Sequence, residues 1–235
     1  MPSLITPYRL EGPCTVDDAA GLAKSNIMAF WEEAWWNLMW PNKTRDSLIE
    51  SVTARMPRNL LKGRDIRRHQ KIIDTESGEI VGYARWVLPK SREGAWLEAQ
   101  TPDASDEDKR VYEHLYAKAE FSYREDMDSL DDHIPKWRKK FDRGEFIVLD
   151  YLGVRPDHHR RGVGSMLVQS GVEVANRLGL DIYLVAMGRG ALGMYLKAGF
   201  EVLDELTQDL KPFGANTTYD TFYLVKRADG ASVSK

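Results

Sequence analysis

Apolar and polar residues are grouped in blocks along this chain, and the blocks predict its elements. The most apolar block, Glu145 to Val154 (EFIVLDYLGV), is short and nearly continuous, which predicts a buried strand. A polar, glycine-punctuated turn follows, RPDHHRRGVG. From Ser165 to Leu178 the apolar residues Met166, Leu167, Val168, Val172, Val174 and Leu178 recur at helical spacing. DIYLVAM is a second buried strand, Ala191 to Ala198 a short helix ended by Gly199, and Phe200 to Leu206 and Thr221 to Lys226 are further strands. This order predicts an α/β arrangement. The first crossover should be right-handed and its two strands parallel.

The first half is less regular. Ile5 to Leu10 predicts a short strand. Thr15 then opens a helical region that closes at Pro41, because a threonine before two aspartates offers oxygens to free backbone N–H groups. Asp46 to Met56 reads as a helix ended by Pro57. Arg67 to Thr75 and Glu79 to Leu88, joined at Glu76-Ser77-Gly78, read as a β-hairpin. Residues 89–143 are highly charged. They predict one helix running to Arg124 and another over Asp126 to Phe141, interrupted by Pro135. Tyr112, Tyr116, Phe121 and Tyr123 give this stretch an apolar face, so it should dock as a helical insertion within one domain spanning residues 1–235. The tail from Ala228 reads as frayed.

Composition narrows the function. Asp and Glu outnumber Lys and Arg by 36 to 33, which argues against a nucleic-acid partner. Cys14 is the single cysteine, so there is no internal disulfide and no cysteine-based metal cage. The histidines lack ligand spacing, and His158 and His159, being adjacent, would point opposite ways on an extended segment. No metal is expected. No apolar run approaches the ~20 residues of a membrane span, and the opening MPSLITPYRLEG lacks a secretory pattern. The expectation is a cytoplasmic protein without a membrane partner, as monomer or homodimer.

The chemistry concentrates in His159-Arg160-Arg161-Gly162-Val163-Gly164-Ser165, which joins the strongest strand to the amphipathic helix. Glycines permit a tight turn and close approach of a ligand. The helix's first N–H groups would face the loop, making an anion site suited to phosphate. It is no Walker loop, since no Gly-Lys-Ser/Thr follows. It is no Rossmann fingerprint either, since Leu167 stands where the third glycine would fall.

One strand further on, Tyr195-Leu196-Lys197-Ala198-Gly199-Phe200 gives Tyr-x-x-x-Gly-Phe. The two motifs together resemble the GNAT superfamily of acyl-CoA N-acyltransferases, whose loop reads Gln/Arg-x-x-Gly-x-Gly/Ala. Gly162, Val163 and Gly164 match its end, while His159 stands where the family has Gln or Arg. The resemblance covers residues 145–226. It implies a mixed central sheet of about six to seven strands with a β-bulge and a V-shaped splay. It also implies acetyl-CoA as co-substrate and a primary amine of a small molecule or peptide as acceptor.

On that resemblance the pyrophosphate would lie on residues 159–165. Pantetheine would pair with Leu152, Gly153 and Val154, where the glycine suggests the bulge. An N–H of Leu152 or Val154 would stabilise the oxyanion. Asp150, flanked by Leu149 and Tyr151, is the candidate base, with a pKa that burial would raise. Pairing with an arginine is its structural alternative. Tyr195 is the candidate acid for the leaving thiolate. The strand ending Ala186-Met187-Gly188 lacks the polar residue that many members carry there. That departure leaves a second reading, a CoA-binding module without catalysis. Trp35 and Trp36, with Glu32 and Glu33 beside them, are candidate acceptor-binding residues, an aromatic wall for an amine with an apolar or aromatic body.

Overall fold

The computed structural model describes residues 7–141 and 145–229. The start of the expected first strand, Ile5 and Thr6, and the tail beyond Asp229 lie outside them. Seven strands form one open sheet: β1 (Tyr8–Glu11), β2 (Arg67–Asp74), β3 (Ile80–Val87), β4 (Phe146–Val154), β5 (Asp181–Met187), β6 (Glu201–Asp209) and β7 (Thr218–Lys226). Their spatial order is β1-β2-β3-β4-β5-β7-β6. The β4–β5 pair is parallel and the other neighbours are antiparallel. This is the mixed α/β sheet that the sequence predicts.

Among the described residues seven α-helices flank it: α1 (Ala19–Phe30), α2 (Ala34–Met39), α3 (Arg45–Leu61), α4 (Asp106–Lys118), α5 (His133–Phe141), α6 (Val163–Leu178) and α7 (Leu192–Lys197). Alternation along the central strands divides the core between two faces. Ile147, Leu149, Ile182 and Leu184 pack with Leu167, Val168 and Val172 of α6. Val148, Tyr183 and Tyr223 face the other way and hold Trp137 of α5, whose ring stacks 3.9 Å from that of Tyr223. Leu22 of α1 and Met56 and Leu60 of α3 cover Tyr83 of β3.

Several boundaries depart from expectation. The helix expected to run to Arg124 ends at Lys118, and the one expected from Asp126 begins as a 3-10 stretch. The helical region after Thr15 breaks at residues 31–33 into α1 and α2. Helix α3 runs through Pro57 instead of stopping before it. A mid-helix proline costs ~3 kcal/mol, and here burial of Met56, Pro57 and Leu60 offsets it. Pro135 does not interrupt a helix, because it sits in the first turn of α5, where its missing N–H would have had no partner.

The insertion contains α4, a 3-10 stretch at Glu125–Asp131 and α5. Its first half leans on α3, with Glu113 3.0 Å from Arg58 and the Arg55 guanidinium 3.9 Å above the Phe121 ring. Its second half ties α2 to the β6–β7 hairpin. Arg124 N–H donates to Met39 O, Arg124 Nη1 donates to Phe213 O, and Gln208 Nε2 donates to Leu130 O.

Candidate active site

The site begins where β4 leaves β5. Their parallel pairing runs from Phe146↔Asp181 to Leu149↔Leu184 and stops. Beyond it β4 follows β3 as far as Val154↔Gly82, and β5 follows β7 as far as Met187↔Thr221. A bulge causes the divergence. Tyr151 pairs with Arg85 and Leu149 with Trp86, so Asp150 is the extra residue of β4. The bulge is therefore at Asp150 and not at Leu152-Gly153-Val154, where the sequence suggested it. Gly153 has another purpose: a Cβ there would stand 3.1 Å from Ala29 Cβ and 3.3 Å from Phe30 Cε2. Its lack of a side chain lets α1 lie close on the strand.

A cleft of about 710 Å³ fills the gap. Leu152, Gly153 and Val154 line one side, and Met187 and α7 the other. The backbone of β4 is directed by its ladder. Arg155 N–H donates to Val81 O on β3, while Val154 O, pointing oppositely, accepts from His159 Nε2 at 2.8 Å. In an antiparallel strand a residue's N–H and C=O point the same way and alternate along the chain. The N–H groups of Leu152 and Val154 therefore face the cleft.

The loop closes the near end. His159, Arg160, Gly162, Val163, Gly164 and Ser165 line the cleft. Arg161 does not; its Nη1 reaches Tyr8 Oη at 3.5 Å. Gly162 has φ +88° and Arg160 φ +59°, so two left-handed residues turn the chain into α6. The first intrahelical bond runs from Met166 N to Gly162 O, which leaves the amides of residues 163–165 ahead of the helix's own ladder. A second groove, of about 540 Å³, continues over α6 and α7 and shares Ser165, Met194 and Lys197 with the first.

The two candidate catalytic groups are placed differently from the loop. Asp150 Oδ2 is 2.5 Å from Arg85 Nε, and its side chain is half-exposed rather than enclosed by Leu149 and Tyr151. It does not line the cleft. Tyr195 is buried, packs edge-on against Phe200 at 5.6 Å, and does not line the cleft, although Ala191 and Met194 do. Burial pushes the Tyr195 phenol well above its ordinary pKa.

Of the two tryptophans, Trp35 lines the cleft and Trp36 does not. Trp36 packs between Phe30 at 5.6 Å and Trp40 at 5.8 Å. Phe30, Glu33, His158 and Lys197 line the cleft too, and the sequence reading gave none of them a site role beyond placing Glu33 near the tryptophans. Lys197 lies inside the Tyr-x-x-x-Gly-Phe motif, which was the available signal for it. Phe30 comes from a distant part of the chain and carried none.

A profile of the acetyltransferase (GNAT) family matches residues 32–200. The chain belongs to this family. Solved structures of like fold include the histone acetyltransferase HPA2 and related acetyltransferase from Corynebacterium glutamicum, at TM-score 0.57 and 18% identity, covering 96% of this chain and 99% of that one. The C-terminal condensation domain of Ebony in complex with beta-alanyl-dopamine matches at TM-score 0.60 and 12% identity, covering 94% and 99%. A mosquito arylalkylamine N-acetyltransferase, like 5b, matches at 0.52 and 14%, also covering 94% and 99%. A search of curated proteins found no match. GNAT membership implies acyltransferase activity. Among the described residues no group of three His, Cys, Asp or Glu side chains could hold a metal, and no helix is long and apolar enough to cross a membrane.

Proposed function

We propose that this protein transfers an acetyl group from acetyl-CoA to a primary amine by direct attack in a ternary complex. The observation that carries this reading is the cleft itself. Unpaired strand amides line its wall where β4 and β5 part, and a glycine loop at a helix N-terminus closes one end. The amides of Val163, Gly164 and Ser165, with the charge of Arg160, suit the pyrophosphate. The nucleotide has room along the groove over α6 and α7. Pantetheine, a chain of amides, would pair with the free edge of β4.

The chemistry then needs two things of this chain. The N–H of Leu152 or Val154 meets the thioester oxygen as charge develops on it. The attacking amine must be neutral and close, which the cleft provides by holding both substrates together. Tyr195, protonated at neutral pH as an ordinary tyrosine is and held more firmly so by burial, is the group we assign to protonate the departing thiolate. Arg85 already holds Asp150 outside the cleft lining, and this favours a structural role for that carboxylate.

The test is thiol release from acetyl-CoA across a panel of primary amines. Release that depends on the amine supports the enzyme. Tight CoA binding with no release for any amine would instead establish a non-catalytic module.

A further inference from the structure

The cleft is chemically bipolar. Its loop end carries Arg160 and Lys197, whereas among the described residues Glu33 is the single carboxylate that lines it. Glu33 sits in the break between α1 and α2, where its N–H donates to Phe30 O and its side chain is exposed. Among the described residues no ion pair engages it, in contrast to Asp150. Phe30 and Trp35 flank it in sequence and line the same cleft, with ring centroids 6.0 Å apart and tilted by 58°. Both rings are held from behind. Tyr151 meets Phe30 edge-on at 5.6 Å, and Tyr219 stands 5.5 Å from Trp35.

The wall is also buttressed there. Trp35 and Met187 line the cleft from opposite sides and join one apolar cluster with Met127, Leu130 and Tyr219. Met127 and Leu130 of the insertion thus back the aromatic wall of the cleft.

Resting on the acetyl-transfer reading, we infer that the acceptor is a small amine carrying an aromatic ring. Phe30 and Trp35 take the ring, and Glu33 receives the amine's proton. A carboxylate beside an aromatic wall attracts an ammonium group twice over, by charge and by the ring faces. The ammonium gives one proton to Glu33, which passes it to water. The neutral nitrogen then attacks the thioester carbon, the C–N bond forms, and the C–S bond breaks. Tyr195 protonates the departing thiolate, the second nitrogen proton restores the Tyr195 phenol, and CoA leaves as the thiol.

The experiment measures acetyl-CoA turnover with 2-phenylethylamine, hexylamine and an N-terminal peptide, together with acetyl-CoA affinity by calorimetry. 2-Phenylethylamine should be the best of the three. Glu33→Gln should lower its kcat/KM by roughly 100-fold, the ordinary contribution of one base, with acetyl-CoA affinity unchanged. Trp35→Leu should raise KM for 2-phenylethylamine by ~10-fold and leave that for hexylamine nearly constant. Turnover that favours hexylamine or the peptide, or a kcat/KM untouched by Glu33→Gln, overturns the inference and leaves the acetyl-transfer reading standing. No turnover with any amine, with acetyl-CoA bound, removes the acetyl-transfer reading and this inference with it.

Discussion

Arg85 Nε stands 2.5 Å from Asp150 Oδ2, across the point where β4 carries one more residue than β3. The ion pair therefore clasps the bulge that sends β4 away from β5. Asp150→Asn should keep the side chain's shape and lose the charge, costing ~1 kcal/mol because the pair is partly exposed. The acidic limb of the pH–kcat/KM profile should persist in this variant. A flattened limb would show that Asp150 leaves Arg85 during turnover and acts as the base.

The loop glycines differ in why they are needed. Gly162 has open space around its missing Cβ but a φ of +88°, so Gly162→Ala should cost ~1–2 kcal/mol through backbone strain. Gly164 has ordinary backbone, but a Cβ there would stand 2.7 Å from Met194 Sδ. Gly164→Val should drive Met194 into the cleft and weaken acetyl-CoA binding by ~10-fold or more, with a melting temperature near that of the parent. Calorimetric titration and thermal unfolding separate the two effects.

The β4–loop–α6–β5 unit was legible in the sequence because its signals are local. An apolar strand, a glycine turn and a helix face lie next to one another in the chain. The loop residues named from the motif line the cleft, except Arg161, whose direction depends on Tyr8 in β1. The bulge was not legible. Asp150 looked buried because Leu149 and Tyr151 flank it, and only pairing with β3 shows that the alternation slips there. The break that exposes Glu33 contains neither glycine nor proline, so no breaker marks it. Pro57 misled for the opposite reason: tertiary burial outweighed the local cost of a helical proline.

Helix α6 lies on the sheet only because residue 171 has no side chain. A Cβ at Gly171 would come within 2.1 Å of the Trp86 ring, itself fully buried. Gly171→Ala should destabilise the protein by ~3 kcal/mol, the upper end of ordinary overpacking. Adding Trp86→Leu should recover part of that loss, since the two sites share one contact. Denaturant unfolding of both single variants and the double variant gives the coupling. Simple additivity would mean that the clash is relieved elsewhere.

His69 should make stability depend on pH. It is buried, its Nδ1 bonds to the Tyr83 hydroxyl at 2.8 Å, and burial with Arg85, Arg67 and Arg68 nearby lowers its pKa from 6.5 to about 3. The folded state therefore refuses a proton that the unfolded chain accepts below about pH 6.5. Stability is full above that pH and should fall by ~1.4 kcal/mol per unit on acidification. The window from pH 6.5 to 5 isolates this group, since carboxylates held low, such as Glu79, contribute only nearer their own range. His69→Asn keeps a partner for Tyr83 and does not titrate, so its unfolding free energy should stay flat across that window.

The last test concerns Tyr195, which the geometry buries and the acetyl-transfer proposal uses as proton donor. A buried phenol is either a packed core ring or a proton donor, and Tyr195→Phe separates the two because it removes only the hydroxyl. As donor to a thiolate that already leaves readily at neutral pH, the hydroxyl would contribute modestly. We expect kcat to fall by ~10- to 100-fold, at or below the usual range for one acid, with KM for acetyl-CoA nearly unchanged. The ring contact with Phe200 at 5.6 Å survives the substitution, so the melting temperature should hardly move. An unchanged kcat would leave Tyr195 as part of the packing between α7 and β6. The thiolate would then take its proton from the attacking nitrogen or from water.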